Sequence, residues 1–135
     1  MSTGSWGEDS ARKFLENKGF KPIEKNFKTP RWGEIDLVMR DGDTLVFVEV
    51  KTRGGGSAKL FGGPLGAINY FKLRTLKRAA QFYIREREIA TERQRGQHVS
   101  SKNLHQEAAR IDAVSVILLD SGEAEIEHFP NITEF

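Results

Sequence analysis

Leu45-Val46-Phe47-Val48-Glu49-Val50-Lys51-Thr52-Arg53 decides the architecture. It is apolar on both faces until Glu49, the pattern of a central strand covered on both sides, so helices are expected to pack on the sheet. Just upstream, Glu34 to Arg40 is also rich in β-branched and aliphatic residues, and Asp41-Gly42-Asp43 between the two runs is a turn signal. The two runs should form a hairpin. For a turn centred near Gly42, residues whose numbers sum to about 85 oppose one another, which sets Asp36 across from Glu49. A register one residue off would put them on opposite faces unless a bulge intervened, and the Gly42 turn could supply one.

Nearer the N-terminus, Ser5 to Lys18 reads as a first helix. Ala11, Phe14, Leu15 and Lys18 follow a 3.6 period, Ser5-x-x-Glu8 can form a capping box, and Gly19 supplies a C′ stop. A strand is expected over Phe20 to Lys28. Ala67, Ile68, Phe71, Leu76, Ala79, Ala80 and Tyr83 recur at helical spacing and predict a long helix from Leu65 to about Glu88. Thr91 to Ala109 is polar, without a periodic apolar face, and reads as a long loop or a frayed helix extension. Ile111 to Leu119 and Ala124 to Phe129 complete the strands, with Ser121-Gly122 as their turn. The order is α-β-β-β-α-β-β, an α+β or mixed α/β fold with a mainly antiparallel sheet core flanked by helices.

The size of the chain, 135 residues with 38% hydrophobic and 30% charged, suits one domain spanning 1–135. The net charge of +2 is modest, but its distribution is not. All 21 basic residues lie at or before Arg110, whereas 111–135 holds six acids and no Lys or Arg. The absence of cysteine excludes a disulfide scaffold, a thiolate zinc site and a cysteine nucleophile. No apolar run approaches the roughly 18 residues of a membrane span, and a cytoplasmic protein is expected.

The chemistry concentrates in Gly33-Glu34-Ile35-Asp36-Leu37 and Glu49-Val50-Lys51-Thr52-Arg53. Residues two apart on a strand share a face, so Glu49 and Lys51 point the same way while Val50 anchors the opposite side. Two carboxylates converging at a strand end, with a backbone carbonyl such as that of Val50 between them, form a hard-oxygen site suited to Mg²⁺ or Mn²⁺. A lysine beside such a metal suits a phosphodiester, because it can position water or balance growing negative charge.

Asp36 followed thirteen residues later by Glu49-x-Lys51, with a helical glutamate ahead of them, resembles the PD-(D/E)xK nuclease superfamily. Trp6-Gly7-Glu8, Gly33-Glu34-Ile35-Asp36-Leu37, Val46-Phe47-Val48-Glu49-Val50-Lys51-Thr52-Arg53 and Arg110-Ile111-Asp112-Ala113-Val114 are similar, more closely, to the bacterial YraN-type proteins, which resemble Holliday junction resolvases. The resemblance covers nearly the whole chain. It implies a restriction-endonuclease-like mixed sheet flanked by helices, with Asp36 and Glu49 as metal ligands, Lys51 as the catalytic lysine and Glu8 as an extra helical acid. The superfamily's Pro-Asp is here Ile35-Asp36, and the insertion from Thr91 to Ala109 is long for the family.

Each assignment has a plainer rival. Glu8 could be only a capping-box partner of Ser5, but Ala11 and Leu15 at i+3 and i+7 place it on the buried stripe. Glu49 with Lys51 could be a surface ion pair worth about 0 to 1 kcal/mol, although charges ending a strand buried on both faces are costly without a purpose. Glu34 is on the Asp36 face too and could be a substitute ligand or merely solvated, of which the solvated reading is favoured. The second helix carries Lys72, Arg74, Lys77 and Arg78, an excess of positive charge beside the candidate metal site that suits phosphate contacts, with Arg53 and Lys72 foremost. The glycine-rich stretch near 54–64 does not match G-x-x-x-x-G-K-[ST] and reads as a mobile flap. His98, His105 and His128 lack ligand spacing and are expected at the surface.

The leading expectation is a Mg²⁺- or Mn²⁺-dependent endonuclease acting on DNA, branched or otherwise structured DNA included, with Glu8, Asp36, Glu49 and Lys51 as its catalytic group. A non-catalytic nucleic-acid-binding module of the same fold is the main alternative, and a protein-interaction domain with a structural acidic cluster is the third. A homodimer is compatible with each.

Overall fold

The computed structural model describes residues 3–54, 68–94, 96 and 108–134. The glycine-rich flap expected beyond Gly54, most of the polar 91–109 segment, and His98 and His105 lie outside the described residues. The elements are α1 (Thr3–Asn17), β1 (Lys21–Lys28), β2 (Glu34–Asp41), β3 (Thr44–Gly54), α2 (Tyr70–Gln94), β4 (Ala109–Leu118) and β5 (Ala124–Glu134). The strands form one mixed five-stranded sheet in the order β1-β2-β3-β4-β5, with β3 and β4 parallel and every other pair antiparallel. The parallel pair is a consequence of α2, which occupies the connection and returns the chain to the same end of the sheet.

The β2–β3 register follows the sum of 85: Asp41 faces Thr44 and Leu37 faces Val48 across the Gly42-Asp43 turn, where Gly42 adopts φ 59°. A residue with a Cβ would be strained there. Leu45 through Glu49 on β3 are all buried, because α1 and α2 cover opposite faces. On one face Ala11 and Leu15 of α1 pack with Leu37, Met39, Val46, Val48, Val114 and Val116. On the other, Leu76, Ala79, Ala80 and Tyr83 of α2 pack with Val38, Leu45, Phe47 and Ile111.

Several boundaries differ from the sequence expectation for local reasons. α1 starts at Thr3, so Ser5 lies within its first turns and the Ser5–Glu8 capping box is not the helix start. Its end is as expected: Phe20 N–H bonds Leu15 O at 3.1 Å and Gly19 N–H bonds Glu16 O at 2.9 Å, a Schellman cap with Gly19 at φ 99°. α2 begins at Tyr70, where the Asn69 side-chain oxygen accepts the Lys72 N–H at 3.0 Å and caps the helix, so Ile68 and Asn69 are not helical; the expected start at Leu65 lies outside the described residues. The helix then runs on to Gln94, as the helix-extension alternative for the stretch from Thr91 has it. β5 continues past Phe129 to Glu134 because a register shift opposite Ile111 and Ala113, with Asn131 at φ 56°, absorbs the irregularity.

Candidate active site

The β2–β3 ladder runs as far as Leu37 and Val48, and immediately beyond it a side chain takes over from the backbone. Asp36 Oδ2 accepts the Val50 N–H at 2.8 Å. This bond fixes the Asp36 carboxylate against the stretch of β3 that carries Glu49. Glu49 is 6% exposed, and its alternation with Phe47 and Leu45 turns it toward the α2 side of the sheet. Lys72, in the first turn of α2, reaches it from that side, with Nζ 3.4 Å from Glu49 Oε1. The other oxygen, Oε2, is buried without a hydrogen-bond partner among the described residues. A buried carboxylate oxygen with nothing to bind is costly, and it is the least satisfied feature of this region.

The electrostatics agree with that geometry. Burial, followed by the neighbouring Asp36 charge, pushes the Glu49 carboxyl up to about 7, against the pull of Lys72 and, more weakly, Lys51. Asp36 is raised as well, chiefly by burial, which outweighs its Val50 hydrogen bond and the Lys72 charge. Two adjacent acids both held above their ordinary range mark a site short of positive charge.

Glu8 joins them from the other layer. Gly7 makes this possible, since a Cβ at that position would collide with the Thr52 side chain, so only glycine lets α1 lie this close to the end of β3. The Glu8 carboxyl is raised by burial first and then by Asp36 and Glu34. Between Glu8 and Glu34 stands Asn26 of β1, oriented so that its amide nitrogen donates to Glu8 Oε2 at 2.8 Å and to Glu34 Oε1 at 2.7 Å. Asn26 adopts φ 52°, a left-handed conformation that asparagine tolerates and that turns its amide toward the two acids.

The structure therefore sets Asp36 beside Glu49 and brings Glu8 and Glu34, the latter placed in solvent by sequence reasoning, within electrostatic reach of Asp36. Glu34 is half-buried and shares Asn26 with Glu8. Asn26 was missed altogether, and its only sequence signal is an asparagine interrupting a strand. Lys51 and Arg53 are half-buried on the same alternation as Glu49. Of the basic residues assigned to α2, Lys72 lies at the acidic site itself, Arg74 is exposed, Lys77 is half-buried, and Arg78 stacks over Trp32 with its guanidinium carbon 4.9 Å from the ring centre.

Among the described residues no three His, Cys, Asp or Glu side chains are gathered as a ready-made metal cage. The donor set of Asp36 and Glu49 nonetheless fits a hard divalent cation. Mg²⁺ is commonly held by one or two carboxylates while water and substrate phosphate fill its other positions, and the orphaned Glu49 Oε2 is an oxygen of the required kind.

A second polar cluster went unread in the sequence. His128, expected at the surface, has a side chain only 5% exposed and bonds Asp112 Oδ2 through Nε2 at 2.8 Å. Asp112 Oδ1 accepts Arg110 Nε at 2.9 Å and the Asn131 N–H at 2.8 Å, and Arg110 continues to Asp41 Oδ2 at 3.0 Å. The strand spacing of His128 gave no hint of this, because its partner arrives from a neighbouring strand.

No helix among the described residues is long and apolar enough to cross a membrane. Comparison with known proteins places the whole site inside one family. A model described as "Uncharacterised protein family UPF0102" matches residues 7–116, a span that includes Glu8, Asn26, Asp36, Glu49, Lys51 and Lys72. A UPF0102 protein of Beutenbergia cavernae is 38% identical over 129 residues, 96% of this chain and 93% of its own. Similar proteins of Syntrophotalea carbinolica (39% over 130 residues, 96% and 89% of the two chains) and Geobacter metallireducens (40% over 134 residues, 98% and 93%) carry the same name. The chain belongs to the UPF0102 family.

Proposed function

We propose that this protein is a divalent-metal-dependent endonuclease that hydrolyses phosphodiester bonds in DNA, on a sheet of the restriction-endonuclease-like kind. The observation that carries the reading is the Asp36–Glu49 pair, in which half-buried Asp36 adjoins buried Glu49, one of whose carboxylate oxygens has no hydrogen-bond partner among the described residues. Asp36 and Glu49 would hold Mg²⁺ or Mn²⁺. The bound cation would polarise the scissile phosphate and make a nearby water easier to deprotonate. Lys51, beyond Glu49 on the same alternation, offsets negative charge as it grows on the phosphate. Glu8, with its carboxyl raised by burial, is suited to take a proton from water, and Asn26 holds it in place. Branched DNA is the substrate class that the resolvase resemblance favours.

The non-catalytic alternative has its own observation. Lys72 already stands 3.4 Å from Glu49 and partly supplies the cation that the acids need. Two measurements separate the readings. Calorimetry should show Mn²⁺ binding that releases protons at neutral pH, because Glu49 must ionise to bind, and Asp36→Asn should abolish it. Labelled linear, flap and four-way DNA incubated with Mg²⁺ or Mn²⁺ should be cut by wild type and not by Glu49→Gln. Retained binding of DNA with no metal-dependent cleavage of any substrate would replace the enzyme with the binding module.

A further inference from the structure

Tyr70 and Phe71 are 70% and 73% exposed, and among the described residues the only other large hydrophobic side chain left in solvent is Ile23, at 40%. Two adjacent exposed aromatic rings are unusual, since either would ordinarily be buried in a core or interface. They pack on each other edge to face, with ring centres 5.7 Å apart. Their position is set by the residue that reaches the acidic site. Asn69 caps α2 by accepting the Lys72 N–H, so Tyr70, Phe71 and Lys72 are consecutive in one fixed turn, and Lys72 Nζ lies 3.4 Å from Glu49. The first turn of α2 thus carries Lys72, which reaches the carboxylates, and the two exposed rings one and two positions before it, with Arg74 exposed just beyond.

We infer that Tyr70 and Phe71 form a stacking platform for unpaired nucleobases next to the phosphate held at the acidic site. The inference rests on the nucleic-acid reading above and deepens it by naming the substrate feature recognised. In duplex DNA the base faces are covered by their neighbours, so an exposed ring pair adds little. Where the strand is unpaired the faces are free, and each base–aromatic stack contributes independently of sequence. The basic residues of the same turn fit the charge of the backbone that must accompany those bases. The selectivity would thus be for single-stranded or forked regions adjoining the cleavage point, irrespective of base identity.

The test is a binding measurement in Ca²⁺, by fluorescence anisotropy, using one labelled sequence presented as blunt duplex and as a fork with unpaired arms. Wild type should prefer the fork. Tyr70→Ala combined with Phe71→Ala should weaken fork binding by about 5- to 100-fold, the range expected for losing one stacked base, while leaving duplex binding within about twofold. Tyr70→Trp combined with Phe71→Trp should retain the fork preference. Both side chains are exposed, so the variants should keep the wild-type circular-dichroism melt. Equal losses on fork and duplex, or unchanged fork binding, would overturn the platform while duplex binding by wild type left the broader reading standing. A changed oligomeric state without a changed fork preference would assign the pair to a protein contact and also overturn it. Failure of wild type to bind either DNA would overturn both proposals together.

Discussion

Two buried acids on neighbouring strands of the same sheet are treated in opposite ways. Asp112 of β4 pairs in register with Val48, facing α1, and Glu49 of β3 pairs with Ala113, facing α2. Asp112 is completely buried and has every need met, by Arg110, His128 and the Asn131 N–H. Its burial would raise its pKa, but the His128 and Arg110 hydrogen bonds outweigh that and hold it below the ordinary range. Glu49, nearly as buried, has one oxygen without a partner among the described residues and is pushed up to about 7. The fold can evidently neutralise a buried carboxylate, so the unsatisfied one is the better candidate for a functional group.

The largest expected effect is on the satisfied side. Asp112→Ala leaves Arg110 and His128 without their shared acceptor and should cost about 3 to 5 kcal/mol, the range for removing one partner of a buried charge pair. A denaturant titration would measure it, and a loss under about 1 kcal/mol would mean the network is incidental. The sign with pH follows from the lowered pKa. Asp112 stabilises the fold above its unfolded value, near 3.8, and that contribution is lost as pH falls through its still lower folded value. The wild-type melt should therefore steepen its decline in strong acid, and Asp112→Asn should lack that component.

The contrast also explains what the sequence could and could not yield. Alternation and turn chemistry made the hairpin legible: Leu45 to Glu49 read as doubly covered, and the Gly42 turn set the register of 85 that the ladder follows. Asp36 and Glu49 were legible for the same reason, being local to one hairpin. The rest is non-local. Asn26 was missed and Glu34 read as solvated because the Asn26 bridge from Glu8 to Glu34 joins a helix to two strands, and no periodicity encodes such a meeting. His128 was misread because its burial depends on Asp112, which arrives from the neighbouring strand β4 and which no pattern within β5 encodes. Ile68 and Asn69 were read into α2 because the apolar period runs through them, whereas a single Asn69 cap sets the helix at Tyr70.

Next in size is Lys51→Ala, which should slow cleavage by roughly 10²-fold, the scale of removing one electrostatic stabiliser of a transition state. DNA binding and the thermal melt should change little. A comparable loss in binding would recast Lys51 as a backbone contact. Glu49→Gln makes a complementary point about the unsatisfied side. In metal-free buffer Glu49 holds its proton more tightly folded than unfolded, so its contribution to stability is fully present below about 4.5 and is lost as pH rises through about 7. Removing the charge should stabilise the metal-free protein at pH 8 by on the order of 1 to 2 kcal/mol and have little effect at pH 5. Added Mn²⁺ should raise the melting temperature of wild type but not of the variant. Destabilisation by Glu49→Gln at pH 8 would place Glu49 with Asp112 as a structural acid.

The smallest effect tests whether the two faces of the sheet also differ toward a polyanion. Arg74 and Arg78 are exposed on α2, on the side of Lys72 and Glu49, whereas Lys13 is exposed on α1, over the face that holds the satisfied network. Deleting a side chain that neutralises one phosphate should reduce the slope of log affinity against log salt by about one. Replacing Arg74 and Arg78 together by Ala should flatten the slope by about one to two, with Arg78 contributing less if its stacking on Trp32 persists in the complex. Lys13→Ala should leave the slope unchanged. Because both measurements use the same duplex across a salt series, nonspecific loss of folded protein would lower affinity without altering the slope. Equal flattening by the α1 and α2 substitutions would mean that the charge of the whole molecule draws the nucleic acid in and that the α2 face has no special claim.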